Sequence, residues 1–254
     1  ALNPKDKTIL EQDADRIIDI TYARAQNRDE KILALRDLAA KNEQYPYLVA
    51  RVKLAEAKLL EEIDSYDEAE RAYRVAIDQG DRALAPAVRA ALELASMQTR
   101  RGRFADAVAV TRNIEVWLGK TEIPGARESY LTIRTRLIRS YLEKGRSELE
   151  LGDARLASAT FDELLAFDPN LTAAWRGKLR AVSGEPAMIQ KFISQFEAEA
   201  KAKPQDALAQ YKLGLALSFG NVDIPCAGPR AGIAVPTVSP RFEDILEVKG
   251  CVLR

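Results

Sequence analysis

A chain of 254 residues with 38 basic and 38 acidic side chains has zero net charge, and it carries no basic run of the kind that holds nucleic acid. Histidine is absent, which excludes every Ser–His–Asp, Cys–His or histidine-ligated metal mechanism within the chain. No window supplies the ~18–20 apolar residues of a membrane span, and two cysteines, Cys226 and Cys251, are too few for a four-ligand zinc site.

The opening ALNPKDKTIL lacks the apolar region of a signal peptide and begins with Ala, so a processed, trimmed or fragmentary chain is expected. The compartment stays open between cytoplasmic and periplasmic. From Lys5 to Gln26, Ile9, Ile17, Ile18, Ile20 and Tyr22 recur at helical spacing, with Asp6 as the expected cap. Asn27-Arg28-Asp29 breaks this run. Ile32, Leu35 and Leu38 mark a second helix to about Asn42, and Tyr45-Pro46 stops it. A helix from Tyr47 to Ile63 follows, then a turn at Asp64-Ser65. The next carries Tyr66, Ala69, Tyr73, Ala76 and Ile77 on one face.

A third pair runs from Pro86 to Thr99, turns through Arg101-Gly102-Arg103, and resumes with Phe104, Ala107, Val108 and Ile114 as far as Gly119. Tyr130, Ile133, Leu137 and Tyr141 then keep helical spacing across one long helix from Gly125 to Leu151, expected to project about two turns beyond its neighbours. Its excess length is expected to serve as a lengthened packing element, with a dimer or partner contact as the sharper alternative, for which Tyr130 and Ile133 are the self-association candidates of a homodimer. Glu143–Asn170 is the best-formed helix–turn–helix unit, with Gly145, Gly152, Ala157, Phe161 and Pro169 at fixed spacing. Beyond residue 220, Pro225, Gly228, Pro229, Gly232, Pro236 and Pro240 exclude a regular helix. Residues 221–254 are therefore expected to be a substitute cap, a disordered tail or non-native sequence, with Cys226 and Cys251 as an inert reduced pair or one tail-closing disulfide.

The turns align. Asp29, Asp64, Gly102 and Gly152 are each followed five residues later by an alanine, Ala34, Ala69, Ala107 and Ala157. Small residues fall where two helices approach and an aromatic fills the space beside them, a grammar of internal repeats. On these residues the chain resembles a tetratricopeptide repeat protein over about residues 15–220. In the unit opening at Ile138, Tyr141, Gly145, Ala157, Phe161 and Pro169 occupy preferred unit positions. Ala57, Ala69, Tyr73 and Ala76 do so in the unit at Ala50, and Leu94, Ala95 and Ala107 in the unit at Val88. Trp175 and Leu213-Gly214 match in the last two, whereas Thr111 stands where an aromatic is preferred.

The resemblance implies an all-α, right-handed superhelical solenoid of antiparallel helix pairs, one repeat domain over 1–220 followed by the irregular tail over 221–254. It implies a protein–protein interaction module or scaffold that binds a partner protein or peptide in a concave groove lined by the first helix of each pair. Groove positions fall on Arg51, Lys58, Arg89, Arg139, Arg146, Arg176 and Arg180, a row of cations suited to an acidic segment. The asparagines of the chaperone-tail carboxylate clamp are missing, their places taken by Lys58 or Ser96 and Glu93 or Glu143. No nucleophile–base pair can be assembled, so neither enzyme activity nor a cofactor is expected. The carboxylate pairs Glu61-Glu62 and Glu148/Glu150 are expected in solvent. The rival expectation is a structural spacer or assembly subunit of a larger secretion or envelope-assembly protein.

Overall fold

The structure, a computed structural model, describes residues 4–220, and for residues 4–11 the backbone alone. The expectations for the tail, including those for Cys226 and Cys251, fall outside the described residues. Among the described residues there are eleven helices and no strand: α1 Pro4–Arg24, α2 Arg28–Lys41, α3 Pro46–Glu62, α4 Tyr66–Asp78, α5 Leu84–Arg100, α6 Phe104–Leu118, α7 Ala126–Glu150, α8 Ala154–Phe167, α9 Thr172–Ala181, α10 Pro186–Ala202 and α11 Ala207–Phe219. The chain divides into two compact units, residues 1–140 and 141–254, with the boundary inside α7.

Local chemistry sets the helix ends. Asp6 lies inside α1 rather than ahead of it, because the helix already starts at Pro4, whose missing N–H costs nothing in a first turn. Asn27 caps α2, its side chain accepting from the Glu30 amide, while Glu30 accepts from the Gln26 amide. Three of the four aligned turn residues have left-handed backbone: Asp64 (φ 58°), Gly102 (φ 73°) and Gly152 (φ 85°). Each closes its helix with the same pair of hydrogen bonds. Ser65 N–H donates to Leu60 C=O at 2.9 Å, Arg103 to Gln98 at 2.9 Å and Asp153 to Glu148 at 2.8 Å. The left-handed residue itself donates to Glu61, Thr99 and Leu149 respectively. This is the Schellman arrangement three times over, and it explains why Gly or Asp recurs there. Asp29 breaks the pattern: it sits in the first turn of α2, and Asn27 makes that turn by capping.

In the first unit the small repeat residues are interior. Ala57, Ala69, Tyr73 and Ala76 are buried with Leu54, Leu60, Leu94 and Met97 among α3, α4 and α5. Tyr73 donates its hydroxyl to Glu61 at 3.0 Å, and burial beside that carboxylate raises its pKa far above the ordinary phenol range. Thr111, where an aromatic was preferred, is also buried; it satisfies its hydroxyl on the Val108 carbonyl at 2.9 Å. The early turns of α7 do not project. Ile123, Ala126, Tyr130 and Ile133 pack against Val88, Ala91, Leu92, Ile114 and Leu118, lengthening the core of the first unit.

A carboxylate ties α4 to the turn ahead of α6. Glu70 accepts from Arg74 at 2.7 Å, from Arg103 and from the buried Gln98 amide at 3.4 Å. Burial pushes the Glu70 carboxyl up, but the hydrogen bonds and charges of Arg74 and Arg103 together outweigh it and hold the pKa below 4.5. A folded-state pKa below the unfolded one stabilises fully above the unfolded value and is lost as pH falls through the folded one. The melting temperature should therefore be level, as far as this group decides it, from neutral pH to about pH 5.5, and should fall below about pH 4.5. Glu70→Gln should shrink that acid-limb fall, as measured by thermal unfolding across pH.

In the second unit Phe161 of α8 stands between two glycines, Gly145 of α7 and Gly177 of α9. A Cβ built on Gly145 would lie 2.6 Å from Phe161 Cζ, and one on Gly177 only 2.3 Å away. No side chain fits at either place while the ring stays. Further along, Trp175, Leu179, Ile189, Ile193, Phe196 and Ala216 join α9, α10 and α11. Two lysines are interior. Lys178 reaches Ser158 Oγ at 2.6 Å and the carboxylate of Asp162, and Lys212 reaches both Glu199 oxygens at 2.6 and 2.5 Å. Glu148, expected in solvent, is buried with Lys144 at 3.8 Å. Glu61, also expected in solvent, is drawn in by Tyr73 and Arg100.

Candidate partner-binding grooves

The seven cations expected to bind a partner do not form one uniform row. The first unit contains a groove of about 630 Å³ whose lining includes Arg51 and Lys58 of α3, Arg89 and Glu93 of α5, and Arg136 of α7. Here two of the four cations are answered by carboxylates of the chain itself. Arg51 pairs with Asp15 of α1, and Lys58 pairs with Glu93 at 2.8 Å. Arg136 lies 3.5 Å from Ser96 Oγ, which also accepts from Arg100 at 2.8 Å. Arg89 is exposed on the rim with no ion pair or hydrogen bond among the described residues. Arg139 is exposed and lines neither this groove nor the one in the second unit.

The second unit carries a larger groove, about 1090 Å³. Phe161 forms part of its floor. Leu142, Arg146 and Leu149 come from one stripe of α7, at helical spacings of four and three. Arg176 and Arg180 lie one turn apart on α9, and Leu208 and Tyr211 come from α11. Arg146, Arg176 and Arg180 are all exposed, and none of their guanidinium groups makes an ion pair or hydrogen bond with a described residue. Like charges at i,i+4 repel by a few tenths of a kcal/mol, which the favourable place of Arg180 in the last turn of α9 offsets only in part. Among the described residues Asp206 is the one acidic side chain in this lining, and its carboxylate is engaged: Oδ1 accepts from the Leu208 amide at 2.9 Å and the Ala209 amide at 3.4 Å, capping α11. Among the described residues the groove is left with an excess of positive charge.

Sequence reasoning thus names three of the groove's cations but neither Tyr211 nor Asn170, which line it as well. Tyr211 lies four residues after Ala207, on the exposed side of the helix spacing that buries Ala209, Lys212 and Ala216, and that periodicity is its only signal. The self-association residues require correction. Tyr130 and Ile133 are 7% and 8% exposed, their side chains spent in the core of the first unit, while Leu131 between them is 53% exposed. The apolar spacing is real, but the surface that it matches belongs to α5 and α6 of the same chain.

Among the described residues no helix is long and apolar enough to cross a membrane. No protein-family model and no curated protein sequence matches the chain.

Proposed function

We propose that the chain is a partner-binding module built of tetratricopeptide-like helix pairs, and that the groove of the second unit holds an acidic segment of another protein. The array reading is supported by the threefold recurrence of one turn geometry at Asp64, Gly102 and Gly152, each opening directly into the next helix. The observation that carries the binding role is the set of guanidinium groups at Arg146, Arg176 and Arg180, gathered in one groove and without a partner among the described residues. Arginine left without an internal partner keeps its planar donors for a carboxylate brought from outside. The assembly-subunit alternative loses the two residues on which it rested, because Tyr130 and Ile133 are interior.

The test uses the whole chain and a labelled poly-glutamate probe at low ionic strength. Arg146→Glu, Arg176→Glu and Arg180→Glu together should weaken binding by about 100-fold or more, since charge-assisted contacts are worth ~1.5–3 kcal/mol each. Far-UV circular dichroism should be unchanged, as the three side chains are exposed. Arg51→Glu with Arg89→Glu should change affinity less than about threefold. Undiminished binding by the triple variant overturns the groove assignment.

A further inference from the structure

Resting on that reading, we infer that the second-unit groove selects an extended segment whose acidic side chains occupy alternate positions. Arg176 and Arg180 project from α9 one turn apart, about 6 Å along the helix axis. In an extended chain, residues i and i+2 share a face and lie about 6.6 Å apart. Alternate acids therefore meet both guanidinium groups from one side. Acids three residues apart point to opposite faces, and one of them misses. Arg146, on α7, is left for a further acid along the segment.

A helical ligand with acids at i and i+4 matches the 6 Å interval equally well, so the spacing alone does not decide its conformation. The polar rim does. The Asn170 side-chain amide, the Thr172 hydroxyl and the Tyr211 hydroxyl all line the groove and make no hydrogen bond with any described residue. A helix has already satisfied its backbone groups internally and offers nothing to these three, whereas an extended chain presents free N–H and C=O groups along its length. Unengaged donors and acceptors beside an arginine pair fit a ligand recognised through its main chain as well as its charge.

The experiment compares two fluorescein-labelled decapeptides, each of four glutamates and six serines, one with glutamate at positions 1, 3, 5 and 7 and the other at positions 1, 4, 7 and 10. Binding to the full chain is followed by fluorescence anisotropy. The alternating peptide should bind about tenfold tighter, the equivalent of one charge-assisted contact. Its advantage should vanish in Arg176→Gln/Arg180→Gln, a charge-removing variant that avoids placing acids in the last turn of α9. Equal affinities, both lost in Arg146→Gln/Arg176→Gln/Arg180→Gln, overturn the register and leave the groove reading standing. Failure of both peptides to bind, or binding indifferent to those substitutions, overturns both.

Discussion

Phe161→Ala should destabilise the second unit by about 3–5 kcal/mol, the cost of emptying an aromatic site in a close-packed interior. The ring is buried between Gly145 and Gly177, so its loss leaves a cavity walled by helix backbone, which collapses poorly. Gly177→Ala attacks the same contact from the other side. Alanine favours helix over glycine by up to about 1 kcal/mol, yet its Cβ would lie 2.3 Å from Phe161 Cζ and 2.4 Å from Cε1. Overpacking of that kind typically costs ~1–3 kcal/mol, so the net change should be destabilising. The decisive result is the double variant. Gly177→Ala in a Phe161→Ala background should be neutral or stabilising, because the clash is gone and the propensity gain remains. Additive losses in chemical denaturation would disprove the interlock.

Glu199→Gln should be the second severe change, at the lower end of the ~3–5 kcal/mol typical of breaking a buried ion pair. Lys212 is only 6% exposed, and its ammonium sits over the rings of Trp175 and Phe196, 5.1 Å from each centroid. The rings favour the cation modestly, but Glu199 is the carboxylate that answers its charge. The lower end applies because the Glu199 side chain is 29% exposed and water reaches it. Lys212→Met, by contrast, removes the charge together with its desolvation penalty and should be close to neutral. Equal losses from the two substitutions would mean that the contact is valued for packing rather than for charge compensation.

These two sites also mark where sequence periodicity suffices and where it fails. Helix limits were legible to within about two residues at most ends from α2 to α7, because proline, glycine, asparagine and aspartate act locally on the backbone. The small residues Ala57, Ala69, Gly145 and Ala157 were legible as close-approach positions for the same reason, and all are buried. Charge was not legible. Lysine is ordinarily a surface residue and nothing local marks Lys178 or Lys212 as interior; only their carboxylate partners, 16 and 13 residues earlier in the chain, make their burial tolerable. Arg51 read as a groove cation equal to Arg176, yet Asp15, 36 residues away, answers it. A repeat alignment places cations on a face but says nothing of which ones a neighbouring helix has already neutralised. Tyr130 and Ile133 failed in a related way: an apolar stripe announces a contact without stating whose surface completes it.

The ring of Phe161 has one more consequence, for how such a groove can change over time. Because it is wedged between α7 and α9, its thickness gauges the gap between the helix that carries Arg146 and the helix that carries Arg176 and Arg180. A swap of Phe161 for a slimmer residue, matched by Gly145→Ala or Gly177→Ala, would bring the two arginine-bearing backbones to a new separation while leaving every charged residue in place. Ligand preference could then drift through paired exchanges of volume beneath the groove, invisible to any comparison of its arginines.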